Sequence, residues 1–205
     1  MNDVIERTKL IVGNPVVIAI DPQQGGSEGG NGIEANVPGR LERDQRMIRI
    51  VDRARELGVP VIFVQEVHKP DLIDIGRELD GAEGPHCIET DPKNDFIEGL
   101  QPRQGEFHIR KRRYSAFFGT ELEIALNAYG AETLILFGGL TDVCVHYTAV
   151  DAHQHDYHVR VAVDAVGGSS QAAHDAALEA IRYLQRDALA ETEELLEAMA
   201  AVGAV

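Results

Sequence analysis

Short apolar runs rich in β-branched residues alternate with segments of helical periodicity along almost the whole chain. We predict the apolar runs as strands, at 15–20, 59–64, 106–111, 133–137, 158–163 and, more briefly, 188–190. The helical segments lie at 40–57, 120–129, 143–156, 170–184 and 192–201. This alternation is typical of βαβ units, in which strands lie parallel and helices cover both faces of the sheet. The sequence therefore predicts an α/β fold, a three-layer α/β/α sandwich with a five- or six-stranded, mostly parallel, Rossmann-like sheet.

The size and charge of the chain limit its partners. Its 205 residues suit one compact domain, and we assign residues 1–205 to a single domain. The 34 acidic and 19 basic residues give a formal net charge of −15, which repels phosphate backbones and anionic lipid. We therefore expect no nucleic-acid and no membrane partner. Because no apolar segment suits a signal peptide or a membrane span, we expect a cytoplasmic protein with free thiols at Cys87 and Cys144.

Residues 67–105 form the longest stretch without a regular period, and they contain four prolines. A loop of this length inside a compact domain is usually functional, so we predict a lid and pocket wall here. Residues 24–32 form a second, glycine-rich loop. This loop lacks the glycine and lysine spacing of a phosphate-binding loop, so no nucleotide is expected there.

Three groups with complementary chemistry follow predicted strands: Asp21, Lys111 and Cys144. The carboxyl ends of parallel strands meet at one edge of a sheet, where ligands usually bind. A cation and a helix N-terminus stabilise a thiolate, so we expect Lys111 and the following helix to activate Cys144, with Asp21 as the proton acceptor. Each residue alone also has a structural explanation, as a buried thiol, a solvated cation or a helix cap. The set predicts a cysteine hydrolase.

Five segments carry a resemblance to a known family: 17–23 (VIAIDPQ), 111–117 (KRRYSAF), 138–145 (GGLTDVCV), 148–152 (TAVDA) and 161–165 (VAVDA). Any one of them is weak, but their order along the chain is specific. The sequence resembles the isochorismatase-like cysteine hydrolases from about residue 14 onwards. The resemblance implies an isochorismatase-like sandwich.

The resemblance also implies roles for individual residues. Asp21, Lys111 and Cys144 would form the catalytic triad, and the peptide bond between Leu140 and Thr141 would be cis. The backbone N–H groups of Thr141 and Cys144 would then form the oxyanion hole. The implied reaction is hydrolysis of a small-molecule amide through a thioester on Cys144.

Three further residues bear on substrate and metal: Glu66, His68 and His86. With Glu66 in place of an aspartate, they resemble the segments with which nicotinamidases bind a divalent metal, and such a donor set suits zinc or iron. The competing interpretation is that His68 and His86 order the lid. We expect no cofactor and keep the metal as an alternative. Gln23, His68 and His86 are the candidate pocket residues.

Several functions stay open. A ureide or another small amide is the leading substrate class, and a metal-assisted, nicotinamidase-like amidase is the first alternative. Because relatives that hydrolyse a vinyl ether lack the cysteine, Cys144 favours amide hydrolysis over the isochorismatase reaction. A non-catalytic binding domain on the same fold is the remaining alternative. The resemblance also implies a homo-oligomer, either a dimer or a tetramer.

Overall fold

The computed structural model describes residues 9–26 and 39–202. The strands are β1 Pro15–Ile20, β2 Val61–Glu66, β3 Phe107–Lys111, β4 Thr133–Gly139, β5 His158–Gly167 and β6 Leu189–Ala190. The helices are α1 Arg40–Glu56, α2 Leu122–Ala128, α3 His146–Gln154, α4 Gln171–Leu184 and α5 Thr192–Val202. The predicted α/β fold is confirmed. The sheet has six strands, and all five pairings between them are parallel.

The strand order is β3-β2-β1-β4-β5-β6. The chain runs outwards from β1 to β3 and then crosses back to β4, so the order reverses between β1 and β4. Ligands of open parallel sheets bind beside such a switch point, at the carboxyl ends of the strands. The central strands β1, β2 and β4 are buried along their whole length, as expected of a sheet that is covered on both faces.

The helices divide between the two faces of the sheet. α1 packs against α5, whereas α3 packs against α4. The crossovers that contain α1 and α3 run in opposite directions across the sheet, and right-handed crossovers of opposite direction lie on opposite faces. The apolar side chains between the layers form one continuous core.

Two strand boundaries differ from the sequence prediction in ways that affect the carboxyl edge. β2 begins at Val61 and extends to Glu66. Gly58 adopts a left-handed conformation with φ 70°, and Val59 and Pro60 connect it to the strand. β4 continues to Gly139, which pairs with Gly167 of a longer β5. Glu66 is therefore a strand-end residue.

Residues 67–105 are irregular, as predicted. They contain two short 3₁₀ turns, Gly76–Asp80 and Pro92–Asn94. His68 fixes this segment by backbone hydrogen bonds, since its N–H donates to Cys87 at 2.8 Å and its carbonyl accepts from Glu89 at 3.0 Å. The segment is thereby held against the carboxyl end of β2. The glycine-rich loop falls largely outside the described residues, at 27–32.

Candidate active site

Three strand ends carry the predicted catalytic side chains. Asp21 directly follows β1, Lys111 is the last residue of β3, and Cys144 lies in the turn after β4. The N–H of Asp21 donates to the carbonyl of Val64 at 3.0 Å, and its backbone leaves the strand with φ 49°. Lys111 is fully buried, while Asp21 and Cys144 are 8% and 6% exposed. The structure brings together these three residues, which are widely separated in sequence.

The ammonium of Lys111 lies at the centre of this group. Its Nζ is 2.9 Å from Asp21 Oδ2 and 3.3 Å from Cys144 Sγ, and it also donates to Glu66 Oε2. Cys144 Sγ lies 3.4 Å from the same Glu66 oxygen. From the sequence Glu66 is predicted only as a metal ligand, although the rule that strand ends meet applies to it equally. We call Asp21, Glu66, Lys111 and Cys144 the nucleophile cluster.

A π-helical turn, Thr141–Val145, carries Cys144 into the cluster and leads directly into α3. The N–H groups of Val143 and Val145 both donate to the carbonyl of Leu140, at 3.2 and 3.0 Å. Within residues 9–26 and 39–202, no acceptor engages the N–H of Thr141. Cys144 therefore lies near the start of a helical segment, where unpaired N–H groups favour negative charge.

A cis peptide bond joins Gly139 to Leu140, one residue before the Leu140–Thr141 bond that the family resemblance implies. The reason lies in the two elements on either side of the bond. Parallel pairing of β4 continues through Gly139, and the carbonyl of Leu140 already belongs to the next turn as its first acceptor. The irregular bond therefore falls directly after the last strand residue.

The electrostatics correct the expectation of an activated thiolate. Burial raises the pKa of the Cys144 thiol well above its ordinary value; Lys111 opposes this shift, and the Glu66 and Asp21 carboxylates add to it. One ammonium already compensates two carboxylates here, so a thiolate would add an uncompensated negative charge. The resting sulfur is a thiol that needs a base.

The two carboxyl groups of the nucleophile cluster differ in acidity. Burial raises the pKa of Asp21 to about 6, with Lys111 opposing and Glu66 adding to the shift. Burial acts in the same direction on Glu66, but the charge of Lys111 and the hydrogen bonds of His68 and His86 hold its pKa well below the ordinary range. Glu66 is therefore a permanent anion, whereas Asp21 can exchange a proton near neutral pH.

The other oxygen of Glu66 faces a second group, which we call the acid–histidine cluster: Glu66, His68, Glu78 and His86. Glu66 Oε1 lies 3.4 Å from His68 Nε2 and 2.9 Å from His86 Nε2. Glu78 Oε2 lies 3.3 and 3.4 Å from the same two nitrogens. One atom from each residue therefore lies within 4.8 Å of every other.

This donor set fits a divalent metal. Metal–ligand bonds of ~2.0–2.2 Å in a tetrahedral site place ligand atoms roughly 3.3–3.6 Å apart, close to three of the four separations just described; the fourth, between Glu66 and His86, is 2.9 Å. Both carboxylate oxygens of Glu78 are buried without a hydrogen bond of good geometry. Burial lowers the pKa of His86, but its hydrogen bond with Glu66 and the nearby Glu78 carboxylate outweigh burial and raise it to about 10. Protonated imidazole thus pairs with these carboxylates when no metal is bound.

Gln23 binds the backbone of Glu66 at both polar groups of its side chain. Its Oε1 accepts from the Glu66 N–H at 3.1 Å, and its Nε2 donates to the Glu66 carbonyl at 3.1 Å and to the Asn94 carbonyl at 3.2 Å. The side-chain amide of Gln23 is therefore hydrogen-bonded to the backbone of Glu66 and Asn94. Cys87 Sγ lies 3.9 Å from the same nitrogen.

Several residues near the site carry no signal in the sequence. Glu78 is one of several acids in the irregular segment, and only the 3₁₀ turn at 76–80 brings it to the histidines. Tyr114 donates to Glu83 at 3.1 Å and stacks on Tyr147 with ring centroids 6.0 Å apart. These tyrosines lie three residues after Lys111 and Cys144, so they neighbour the cluster, but spacing alone gives no reason to select them.

Other charged groups lie outside the site. Arg110 is exposed and lies 3.2 Å from Glu89, and Arg112 lies 2.6 Å from Asp74. His153 contacts Gln185, and His155 stacks on Phe117. Among the helices of the described ranges, none is long and apolar enough to cross a membrane.

Known proteins share both the sequence pattern and the fold. A family model for the isochorismatase domain matches residues 15–194. Maleamate amidohydrolase from Pseudomonas putida is 31% identical over 166 residues, 80% of this chain and 77% of that protein. Ureidoacrylate amidohydrolase RutB from Yersinia enterocolitica is 33% identical over 153 residues, 66% of this chain and 64% of that protein.

A solved structure extends the comparison. The pyrazinamidase/nicotinamidase of Streptococcus mutans superposes with a TM-score of 0.77 at 26% identity, over 86% of this chain and 100% of that chain. The aligned part of this chain covers just under two thirds of the ureidoacrylate relative. The family model nevertheless spans nearly all of the six-stranded sheet and its strand-end residues. The chain belongs to the isochorismatase family.

Proposed function

We propose that the protein is a cysteine amidohydrolase that cleaves the C–N bond of a small-molecule amide. One observation carries this proposal: a buried thiol, an ammonium and a carboxyl group with a pKa of about 6 lie in contact at the switch point of the sheet. A thiol with a base in reach is the arrangement that nucleophilic catalysis requires. The family membership supports the same chemistry.

The reaction follows from the roles of these three groups. Cys144 Sγ attacks the amide carbonyl carbon while its proton passes to Asp21, whose carboxylate oxygen lies within 4.8 Å of the sulfur. Collapse of the tetrahedral intermediate breaks the C–N bond, and Asp21 returns the proton to the departing nitrogen. Water, deprotonated by Asp21, then hydrolyses the thioester, and the acid and the free thiol are released. Lys111 contacts both Asp21 and Cys144, and its positive charge compensates the negative charge that develops between them.

The backbone N–H groups of Thr141 and Cys144 are the proposed donors to the oxyanion. The N–H of Thr141 meets no acceptor within the described ranges, and both groups belong to the turn that presents the sulfur. An N–H group that is fixed before the reaction stabilises the oxyanion without reorganisation.

The proposed substrate is a ureide or a similar small amide. Two of the relatives are named for maleamate and ureidoacrylate and a third for nicotinamide and pyrazinamide, so their names alone do not select one amide. The Gln23 amide is engaged with Glu66 and Asn94, so we assign it to holding Glu66 rather than to the substrate.

A metal-assisted amidase is the second candidate, and the convergence of Glu66, His68, Glu78 and His86 favours it. These residues would hold zinc or iron, which would polarise a carbonyl group or lower the pKa of a bound water. Glu66 would then contact both the metal and the nucleophile cluster, because its Oε1 faces the histidines while its Oε2 faces Lys111 and Cys144.

A panel assay tests the proposal. Ammonia release would be measured with maleamate, ureidoacrylate, nicotinamide and a simple ureide, for the purified protein before and after chelation and zinc addition. We expect turnover of at least one amide, and none with Cys144→Ala. Cys87→Ala is the matched control, because it removes the other thiol and leaves the nucleophile. Equal activity of Cys144→Ala and wild type would exclude the covalent mechanism, and a panel without turnover would favour a binding role.

A further inference from the structure

The turn that carries the nucleophile is tied to the first turn of α4 through a side-chain contact. Thr141 is fully buried, and its Oγ1 lies 2.9 Å from His174 Nδ1. His174 lies on α4, between β5 and β6, whereas Asp21 and Lys111 lie at strand ends of the other half of the sheet, β3-β2-β1. The roles assigned above to catalysis and to the metal do not use this histidine.

A second tie lies directly beside the first. Asp142 Oδ1 accepts the backbone N–H of Ser169 at 2.8 Å, and Asp142 Oδ2 accepts the Ser169 hydroxyl at 2.5 Å. Gly168 permits this approach, because a Cβ at that position would lie 2.8 Å from Asp142 Oδ1 and 2.8 Å from His174 Cβ. Consecutive residues of the nucleophile turn are thus fastened to one short segment, 168–174.

That segment is itself held in place. Ser170 caps α4, since its hydroxyl accepts from the N–H of Ala173 at 3.2 Å, and its carbonyl accepts from the N–H of His174 at 2.9 Å. On the other side, Gly167 pairs with Gly139 in the sheet, next to the cis bond that precedes Leu140. His174 therefore projects from a capped helix start whose position is fixed relative to β4.

We propose that His174 is a positioning residue that acts through the Thr141 hydroxyl to fix the turn holding the oxyanion donors. This inference rests on the proposed function. The hydrogen bond restrains Thr141 at its side chain, while the backbone N–H of the same residue stays available to substrate. Loss of the restraint would let the N–H turn away from the oxyanion without removing the thiol, the base or the ammonium.

The electrostatics of His174 agree with this role. Burial, with a contribution from the charge of Arg43, lowers the pKa of its imidazole. A neutral imidazole has either a lone pair or a proton at Nδ1, and a hydroxyl can pair with both. The contact with Thr141 therefore does not depend on which ring nitrogen carries the proton.

The test uses p-nitrophenyl acetate as an acylating probe, with release of p-nitrophenolate as the signal. We expect His174→Ala to lower the maximal acylation rate about ten- to a hundredfold, because a misplaced oxyanion donor loses much of its effect. The probe concentration at half-maximal rate should stay within about twofold, since the donor acts mainly on the developing oxyanion. A role confined to folding would lower the midpoint of thermal unfolding without this separation.

Two conservative variants sharpen the test. The Asn side chain places a polar atom where His has Nδ1, whereas Gln places one nearer to the position of Nε2. We therefore expect His174→Asn to restore most of the rate and His174→Gln to restore little. Thr141→Val should reproduce the loss, and Thr141→Ser, which keeps the hydroxyl, should lose less. The double variant Thr141→Val/His174→Ala should be no slower than either single variant, since both break one contact.

The outcomes separate this inference from the proposed function. If wild type and Cys144→Ala release p-nitrophenolate at the same rate, the covalent mechanism fails. If Cys144→Ala is inactive while His174→Ala acylates at the wild-type rate, the positioning role alone is refuted. Should His174→Ala not fold, the Thr141→Val and Thr141→Ser pair decides the question, and equal rates for the two would refute the role.

Discussion

The two clusters that share Glu66 differ in how their charge is balanced. In the nucleophile cluster, one fully buried ammonium compensates two carboxyl groups beside a thiol. In the acid–histidine cluster, two imidazoles lie between two carboxylates, and the Nε2 atom of each imidazole approaches an oxygen of both acids. The first cluster depends on a single cation, whereas the second has charges of both signs in equal number when its histidines are protonated.

This difference indicates how each cluster can respond to change. Removal of Lys111 would remove the ammonium that is paired with Asp21, whereas Glu66 would keep its contacts with the two histidines. The acid–histidine cluster can exchange its two protons for a divalent cation and keep the same total charge. Glu66 belongs to both clusters, since one of its oxygens faces each of them.

The largest effect is expected from Lys111→Met. The substitution keeps the length of the side chain but removes the cation beside the buried Asp21 and Glu66 carboxyl groups, and loss of one partner of a buried ion pair typically costs about 3–5 kcal/mol. We expect no measurable turnover and a lower free energy of unfolding in urea. Arg110→Met is the matched control, because the neighbouring side chain is exposed and lies outside the cluster. Wild-type stability for Lys111→Met would contradict the charge balance described here.

Asp21→Asn is expected to lower kcat by about 10²–10⁴-fold, the usual contribution of a general base. The amide has the shape of the carboxylate and cannot accept the thiol proton, so folding should be retained. Steady-state ammonia release with the best amide of the panel measures the loss, and circular dichroism checks the fold. If Asp21→Asn were active, a residue other than Asp21 would have to act as the base.

Glu78→Gln changes the acid–histidine cluster without replacing a residue of the nucleophile cluster. We expect the wild type to bind one zinc ion, and the variant to bind it about 10–100-fold more weakly. Isothermal titration calorimetry with zinc alone measures this, independently of activity. Glu83→Gln is the control, because Glu83 lies nearby, 3.6 Å from His86, outside the four-donor set. Equal affinities for Glu78→Gln and wild type would remove Glu78 from the site.

The smallest effect is the pH dependence of the wild type. Asp21 must be ionised to accept a proton, and its pKa is raised by burial to about 6. We therefore expect kcat/KM to be constant above this value and to fall about tenfold per pH unit below it. A pH-rate profile between pH 4.5 and 8 tests the expectation. Activity that stays constant down to pH 4.5 would show that Asp21 is not the base or that its pKa is not raised.

The contrast between the clusters also decides what could be predicted from the sequence. Asp21, Lys111 and Cys144 follow regular strands, and parallel strands bring their carboxyl ends to one edge whatever the connecting loops do. The same rule would have selected Glu66 once β2 is extended by two residues. Glu78 lies in an irregular segment, where no period relates sequence position to position in space.

The two corrections have different physical origins. The displaced cis bond reflects a strand that is two residues longer than its apolar run, because glycines 138 and 139 still pair within the sheet. The pKa of the thiol reflects its burial together with the charges around it: the sequence places Lys111 near Cys144, but it does not show that Asp21 and Glu66 pair with the same ammonium. Charge balance in a buried site requires the whole set of neighbours.

The sheet divides between β1 and β4, and the catalytic residues lie on both sides of this division. Asp21 and Lys111 lie at strand ends of one half, β3-β2-β1, whereas Cys144 follows the first strand of the other half. A partly folded chain in which only one half has formed would therefore expose the sulfur to solvent as an ordinary thiol. Labelling of Cys144 in increasing denaturant would therefore report loss of the contact between the two halves, whether they separate or either one unfolds.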